Sequence, residues 1–269
     1  MSSQRILGVF YRYFYILCKG PHQLSDLLYW PFMDILLWGL TSVWIQSQHQ
    51  ATDLPMILLT GLIFWQICWR GSIDISFSLL QEFWHRNLVN LFSTPLKLRE
   101  WAAGVILLCL CKLLITVCFG ALIVYLLYSI NVFAIGWMFF PFAFSLLLFG
   151  WALGFLAASA IIYWGNQVEA LAFMIGYLFA PFSAVFYPIE VLPQWAQTIS
   201  MFLPTTYIFE GMRSILTTGT FAMEKFGISL ALNALYLTLS FALFHRMFQK
   251  SRAKGRPRTP KMVRRSQRA

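Results

Sequence analysis

The sequence predicts an all-α polytopic membrane protein with six transmembrane helices, an amino-terminal amphipathic interface helix and an outer re-entrant helical segment. The first observation is composition: 59% of the 269 residues are hydrophobic and 11% are charged, whereas a soluble domain has about 45–50% apolar and about 25% charged residues. The second is a series of apolar stretches of about 20 residues, the length that crosses a bilayer. The third is a one-sided distribution of Lys and Arg. A soluble fold could not cover this much apolar surface with polar groups.

The first 25 residues form the first predicted unit, a helix lying in the cytoplasmic membrane interface. Basic side chains recur every seven residues and therefore share a helical face: Arg5, Arg12 and Lys19. Apolar side chains fall on another face: Leu7, Phe10, Phe14 and Leu17. The pattern is typical of an amphipathic interfacial helix, and it fits both a simple anchor and a lever that a cytoplasmic partner pushes.

Residues 26–248 form the second predicted unit, a six-helix transmembrane domain. The predicted spans are Leu27–Ile45, Leu54–Phe77, Ala102–Tyr128, Phe133–Tyr163, Ala170–Tyr187 and Phe226–Phe244. A further apolar stretch, Val191–Leu203, is too short to cross the membrane and is bounded by prolines.

The distribution of basic residues predicts the orientation. Sixteen of the twenty Lys and Arg residues fall before the first span, between the second and third spans, or in the tail. Because cytoplasmic loops carry the excess of Lys and Arg, both termini are expected in the cytoplasm of a cell (inner or plasma) membrane. The tail, residues 249–269, has no acidic residues and is expected to be disordered and to bind anionic lipid headgroups. No aromatic residues are interleaved with its basic ones, which disfavours nucleic acid as a partner.

Four ionisable residues fall inside predicted spans, where charge is costly and usually has a partner or a function: Asp34, Arg70, Asp74 and Lys112. Arg70 and Asp74 are four residues apart and can pair along one helix face; snorkelling or such structural pairing is weighed against contact with a substrate. Lys112 is expected to reach Asp34 or an interfacial phosphate. Neither the four histidines nor the five cysteines show metal-ligand or catalytic spacing, so no metal site, disulfide framework or catalytic residue is predicted.

Two irregular segments separate these spans. After the second span, charged Glu82 and Arg86 are interleaved with apolar residues up to Leu91, which predicts a short cytoplasmic helix suited to docking in a partner's groove. After the fifth span, three prolines interrupt two short apolar helices: Pro188, Pro193 and Pro204. Such backbone is tolerated at membrane depth only when protein or a cavity shields it, which predicts a pair of re-entrant half-helices at the outer mouth.

Each irregular segment carries a short motif. The inner motif is Glu82, Asn87-Leu88 and Thr94-Pro95. The outer motif is Tyr187-Pro188, Leu192-Pro193, Pro204-Thr205, Glu210-Gly211 and Arg213. With these motifs, from about Ile6 to Phe248, the chain resembles the membrane (permease) subunit of type-2 ABC exporters. The order and spacing of the motifs carry the resemblance, and the basic tail lies outside it.

The resemblance implies a homodimer or a pseudo-symmetric heterodimer, with a cytoplasmic ABC ATPase subunit on each copy. It implies an ATPase coupling region of Glu82, Arg86, Asn87, Leu88 and Leu91, acting with the amino-terminal helix. It also implies an outer re-entrant gate of Tyr187, Pro188, Pro193, Pro204, Glu210 and Arg213. The cargo classes it implies are polysaccharides, lipid-linked glycans and hydrophobic drugs. No GxxxxGK[ST] phosphate-binding loop occurs, so ATP is expected on the partner subunit and no cofactor on this chain.

Two other functions are weighed against this one. A membrane-embedded enzyme acting on lipid-linked substrates would need acids or histidines clustered at one membrane face, and the sequence does not supply such a cluster. An ATP-independent carrier or channel would normally show repeated halves, and no convincing repeat is visible.

Overall fold

The computed structural model describes residues 2–49, 54–85, 87, 95–220 and 223–253. Nine α-helices lie in these ranges: α1 (Ser3–Lys19), α2 (Pro21–His49), α3 (Leu54–Trp84), α4 (Leu98–Tyr128), α5 (Phe139–Trp164), α6 (Ala170–Leu178), α7 (Gln194–Met201), α8 (Pro204–Thr218) and α9 (Met223–Ala253). Short 3₁₀ helices occupy Val132–Met138, Gly165–Val168, Ala180–Phe182 and Ile189–Val191. The all-α polytopic prediction is confirmed.

Five helical segments among the described residues are long and apolar enough to cross a membrane: Gln23–Gln48, Leu54–Trp84, Leu98–Tyr128, Val132–Trp164 and Met223–Ser251. The predicted fifth span, Ala170–Tyr187, is not one continuous helix. It consists of α6, the 3₁₀ helix Ala180–Phe182 and irregular chain beyond it.

The interrupted segment nevertheless follows α3 along most of its length. A Cβ atom at Gly165 would lie 3.9 Å from Phe83, and one at Gly61 would lie 3.2 Å from the Val185 carbonyl oxygen. The helical rise of 1.5 Å per residue places Gly61 and Phe83 about 33 Å apart, close to the thickness of the hydrocarbon core of about 30 Å. The count of six spans stays a prediction, and residues 165–185 run along α3 over a length similar to the thickness of the hydrocarbon core.

α3 lies at the centre of the helix packing and contacts α5 most closely at glycines. The Cα atom of Gly71 would lie 3.0 Å from a Cβ atom at Gly150, and Ser72 O would lie 2.7 Å from one at Gly154. Small residues four apart let helix backbones approach in a membrane, where packing rather than water exclusion holds helices together. Gly150 and Gly154 of the fourth span therefore serve the contact of α5 with α3.

Proline in the fourth span causes no break. Pro141 lies in the first turn of α5, where backbone N–H groups have no partner within the helix. The change of direction occurs earlier, at Gly136, whose φ of 69° lies in the left-handed region. The fourth span thus begins with a 3₁₀ helix and continues as α5.

Several predicted boundaries differ from the observed ones. α3 continues through Trp84, so Glu82 belongs to the last turn of the second span and not to a separate helix. α9 continues to Ala253, so residues 249–253, assigned to the tail, are helical. Residues 254–269, and Arg86, Leu88 and Leu91 of the predicted coupling region, lie outside the described residues.

α1, the end of α3 and the beginning of α4 meet at one end of the helix bundle, which we call the basic end. Its apolar core, which also includes residues of α9, joins the four helices through Val9, Leu79, Trp101 and Phe244. α8 and the 3₁₀ helix Val132–Met138 pack at the opposite end, near the beginning of α3, which we call the distal end. The predicted inner and outer motifs therefore lie at opposite ends of the bundle.

Candidate functional site

A groove of about 830 Å³ opens beside α3, within the range of about 300–1,000 Å³ that is typical of ligand sites. It lies between α2, α3, α4 and α6, and its wall is largely aromatic and aliphatic. The apolar lining consists of Trp30, Trp69, Ile73, Phe77, Leu171, Phe173, Met174, Ile175, Tyr177 and Leu178. Its polar lining consists of Gln23, Asp26, Asp34, Gln66, Arg70, Asp74 and Lys112.

All four ionisable residues that the sequence singled out line this groove. Asp74 and Lys112 form an ion pair between α3 and α4, with Nζ 3.0 Å from Oδ1. Arg70 donates through Nη2 to the carbonyl oxygens of Asp26 and Leu27, at 3.1 and 3.2 Å. Asp34 accepts a hydrogen bond from Gln66 Nε2 at 2.8 Å. The four residues that carry charge inside predicted spans thus lie together in one groove.

Arg70 and Lys112 do not bond to the carboxylates that the sequence suggested for them. Arg70 does not pair with Asp74, although the two are four residues apart, because Asp74 is bonded to Lys112 of the next span. Lys112 reaches Asp74 and not Asp34. Spacing along one helix shows only which residues share a face, whereas these pairs depend on how three helices pack.

Aromatic residues form the open side of the groove. The rings of Trp69 and Tyr177 are 4.1 Å apart between centroids, and Gly176 leaves the space that the Trp69 ring occupies. Phe77 contacts Phe173 edge to face, with 5.9 Å between centroids. Trp30, Met174 and Leu178 are more than half exposed, so the groove presents an apolar rim around a charged floor.

At the basic end, Glu82 joins three elements through one buried carboxylate, which is 1% exposed. It accepts hydrogen bonds from Tyr13 Oη at 2.7 Å and from Arg12 Nη2 at 2.9 Å. Asn87 Nδ2 donates to the same carboxylate at 3.0 Å. Trp101 Nε1 in turn donates to Tyr13 Oη at 3.2 Å. Burial, followed by the neighbouring Glu82 carboxylate, raises the pKa of Tyr13, so its hydroxyl keeps the proton that it donates.

Glu100 makes a second link between α1 and the rest of the basic end. Its carboxylate accepts hydrogen bonds from the backbone N–H groups of Ser2, at 2.8 Å, and Lys97, at 3.1 Å. Arg5 Nη1 lies 3.5 Å from this carboxylate and donates to the Pro95 carbonyl oxygen at 2.7 Å. Residues of α1 and Asn87 therefore bond to the same Glu82 carboxylate, and α1 also bonds directly to Pro95. Asn87 and Pro95 flank the segment 88–94.

At the distal end, Arg213 holds the outer segment together. It donates to Glu210 Oε1 at 2.7 Å and to the Ala184 carbonyl oxygen at 3.0 Å. Glu210 and Arg213 thus form an ion pair three residues apart, and Arg213 also reaches Ala184, whose φ of 55° is left-handed. Tyr187 Oη donates to the Pro181 carbonyl oxygen at 2.7 Å.

The prolines of the outer segment mark where its helices begin. Pro193 immediately precedes α7, and Pro204 is the first residue of α8, where its missing N–H costs nothing. Pro188 precedes the 3₁₀ helix Ile189–Val191. Two short helices thus follow the predicted fifth span, as expected, and their role as an outer gate stays a prediction.

The family model of the ABC-2 type transporter matches residues 23–217, more than two thirds of the chain. The chain belongs to the ABC-2 type transporter family. A search of the curated proteins returned no match. The matched range contains the whole groove, Glu82, Glu100 and the outer segment, whereas α1 and α9 lie outside it. The chain is accordingly a multi-pass membrane subunit of an ABC-type transporter.

One polar cluster of this ABC-2 type subunit was missed by the sequence analysis. Asn233 Nδ2 donates to the carbonyl and hydroxyl oxygens of Ser145, at 2.9 and 2.8 Å. Ser229 Oγ donates to the Pro204 carbonyl oxygen at 2.9 Å and lies 2.9 Å from Ser145 Oγ. The cluster joins α5, α8 and α9 inside the bundle. The available signal was a single asparagine in an apolar span, which is less costly in lipid than a charged residue and therefore less conspicuous.

Proposed function

We propose that this chain is the membrane subunit of an ATP-driven exporter, that a separate ATPase subunit binds its basic end, and that the groove is part of the path of the cargo. The observation that carries the proposal is the position of α1, which bonds directly to Pro95 and shares the Glu82 carboxylate with Asn87, the two residues that flank segment 88–94. Arg12 and Tyr13 bond to Glu82, and Arg5 bonds to Pro95. A partner that displaces this segment would displace α1, α3 and α4 together.

Glu82 acts in this proposal as a positioning residue and not as the surface that the ATPase touches. Its carboxylate is buried beneath α1, so a partner has no direct access to it. Loss of Glu82 would weaken coupling because the contacts among α1, α3 and Asn87 would be lost. The ATPase is proposed to contact exposed residues around Glu82 instead.

A second copy of the chain is proposed as the other wall of the path. The groove is open on one side, and its rim carries exposed apolar residues at Trp30, Met174 and Leu178. A contiguous apolar rim around a charged floor suits a path that two copies enclose. The subunit is proposed to reside in the cell (inner or plasma) membrane with both termini in the cytoplasm, and to move a hydrophobic, lipid-linked or polysaccharide cargo outwards.

Purification of the tagged chain from its native membrane tests the ATPase partner. The expected result is one co-purifying polypeptide whose sequence contains GxxxxGK[ST], together with ATP hydrolysis that vanadate inhibits. Native mass spectrometry of the same sample is expected to show two copies of each chain. A sample that holds the folded chain and neither a nucleotide-binding polypeptide nor vanadate-sensitive hydrolysis would contradict the proposal.

A further inference from the structure

We propose that the groove binds an amphipathic cation, with Asp34 as the counter-charge and Trp30, Trp69 and Tyr177 as the aromatic surface. The inference rests on the proposed transport function and names the class of ligand that the groove takes. A quaternary ammonium or phosphonium group with apolar substituents has the required chemistry, because a cation is attracted both to a carboxylate and to aromatic faces.

The charges of the groove favour a cation over an anion. Its lining contains three carboxylates, Asp26, Asp34 and Asp74, and two basic groups, Arg70 and Lys112. Lys112 is paired with Asp74, and Arg70 is bound to two backbone carbonyl oxygens on α2. Both basic groups of the described lining are therefore engaged, whereas the bonded partner of Asp34 is the neutral amide of Gln66.

The helix register places Asp34 beside the aromatic wall. Trp30 precedes Asp34 by four residues on α2, so the two share a helix face. Gln66, which bonds Asp34, precedes Trp69 by three residues on α3 and shares its face in the same way. Trp69 contacts Tyr177 of α6. The carboxylate and the three aromatic rings therefore belong to one part of the groove.

The apolar character of the wall argues against an uncharged glycan. A sugar presents many hydroxyl groups, each of which needs a partner when buried. Most of the groove is lined by aromatic and aliphatic side chains instead. A cation with apolar substituents matches this wall without leaving hydroxyl groups unpaired.

Equilibrium binding of tetraphenylphosphonium tests the inference in the absence of ATP. The purified chain, with any subunits that accompany it, is held in an uncharged polyoxyethylene detergent and titrated with the radiolabelled cation. Tetraphenylborate, the anion of nearly the same shape, is titrated in parallel. The expected result is saturable binding of the cation and at least about tenfold weaker binding of the anion.

Matched variants locate the site. Asp34→Asn is expected to weaken binding of the cation about tenfold or more, and Trp69→Ala is expected to weaken it several-fold. Glu190→Gln removes the same charge and Trp195→Ala the same side chain at exposed positions outside the groove, and both are expected to bind as the unaltered chain does. Thermal unfolding of every variant checks that it is folded.

Three results would overturn the inference. Equal affinity for the cation and the anion, or unchanged binding by folded Asp34→Asn, would overturn the inference. Saturable binding of an uncharged oligosaccharide that depends on Trp69 but not on Asp34 would overturn it in favour of a glycan. Co-purification of an ATPase is a separate measurement, so failure of the binding test leaves the proposed transport function standing.

Discussion

Tyr13 Oη donates a hydrogen bond to Glu82 Oε1 over 2.7 Å, across 69 residues of sequence. This bond and the adjacent one from Arg12 to the same carboxylate make α1 part of the transmembrane bundle at its basic end. A helix that merely lies on the membrane surface would need no such contact. The helix α1 is thus fixed to α3 at Glu82, and its role as a lever stays a prediction.

Replacement of Glu82 by Gln is expected to destabilise the chain by about 1–3 kcal/mol, because Arg12 loses its charged partner and buried hydrogen bonds are weakened. Thermal unfolding in detergent measures the effect. Tyr13→Phe should cost less, since it removes one hydroxyl group. The double variant should cost less than the sum of the two single variants. Strict additivity of the two costs would contradict a direct contact, and the exposed Glu190→Gln serves as the control.

Breaking the Asp74–Lys112 pair from one side is expected to be severe. Asp74→Asn or Lys112→Met leaves one charge without its partner in a site where Asp74 is fully covered, and the expected cost is about 3–5 kcal/mol. The double variant Asp74→Asn with Lys112→Met carries no uncompensated charge and is expected to recover much of that loss. Unfolding temperatures of the three variants test this, and a double variant less stable than both single variants would refute the pairing.

Gly150→Ala is expected to lower the stability of the folded chain by about 1–3 kcal/mol, the usual range for an overpacked core. A methyl group at this position would collide with the Cys68 carbonyl oxygen of α3, which is backbone and cannot rotate away. Gly227→Ala on α9, where no atom lies within 4 Å of the added carbon, is the matched control. If both substitutions leave thermal unfolding unchanged, α3 and α5 do not approach as closely as described.

The Ser145–Ser229–Asn233 cluster is expected to stabilise the contacts of α9 with α5 and α8. Asn233→Leu removes both hydrogen bonds to Ser145, and hydrogen bonds between membrane helices contribute about 0.6–2 kcal/mol each. Asn131→Leu, at the start of the 3₁₀ helix that begins at Val132, is the control for loss of an amide outside the bundle. Limited proteolysis after Thr218 should become faster for Asn233→Leu alone, and equal rates for the two variants would argue against the role of the cluster.

The sequence was most informative where a single property sufficed. Apolar length located the long helices, and the cost of charge in lipid picked out Asp34, Arg70, Asp74 and Lys112, all of which meet in one groove. The sequence did not show which of these charged residues would bond to each other. The ion pair of Asp74 with Lys112 depends on the packing of α3 against α4, and the bonds of Arg70 depend on the position of α2.

Two further features depend on tertiary contacts that local pattern does not encode. The apolar stretch after Ala170 reads as a continuous span, but the chain breaks after Leu178 and continues past α3 in short turns. Glu82 stands among residues that alternate between charged and apolar, which suggests an exposed helix. The structure buries its carboxylate because α1 covers it with Arg12 and Tyr13.

In the proposed function, ATP consumed by a separate subunit changes the exposure of the groove. Met174→Cys, at an exposed position on its rim, reports this through its rate of labelling by a membrane-impermeant maleimide in the purified complex in liposomes. Peptide mass spectrometry separates its signal from those of the native cysteines, with buried Cys68 and Cys109 as internal references. A several-fold change in the labelling rate is expected when the complex is trapped with ATP and vanadate. An unchanged rate, in a preparation that hydrolyses ATP, would contradict the proposed function.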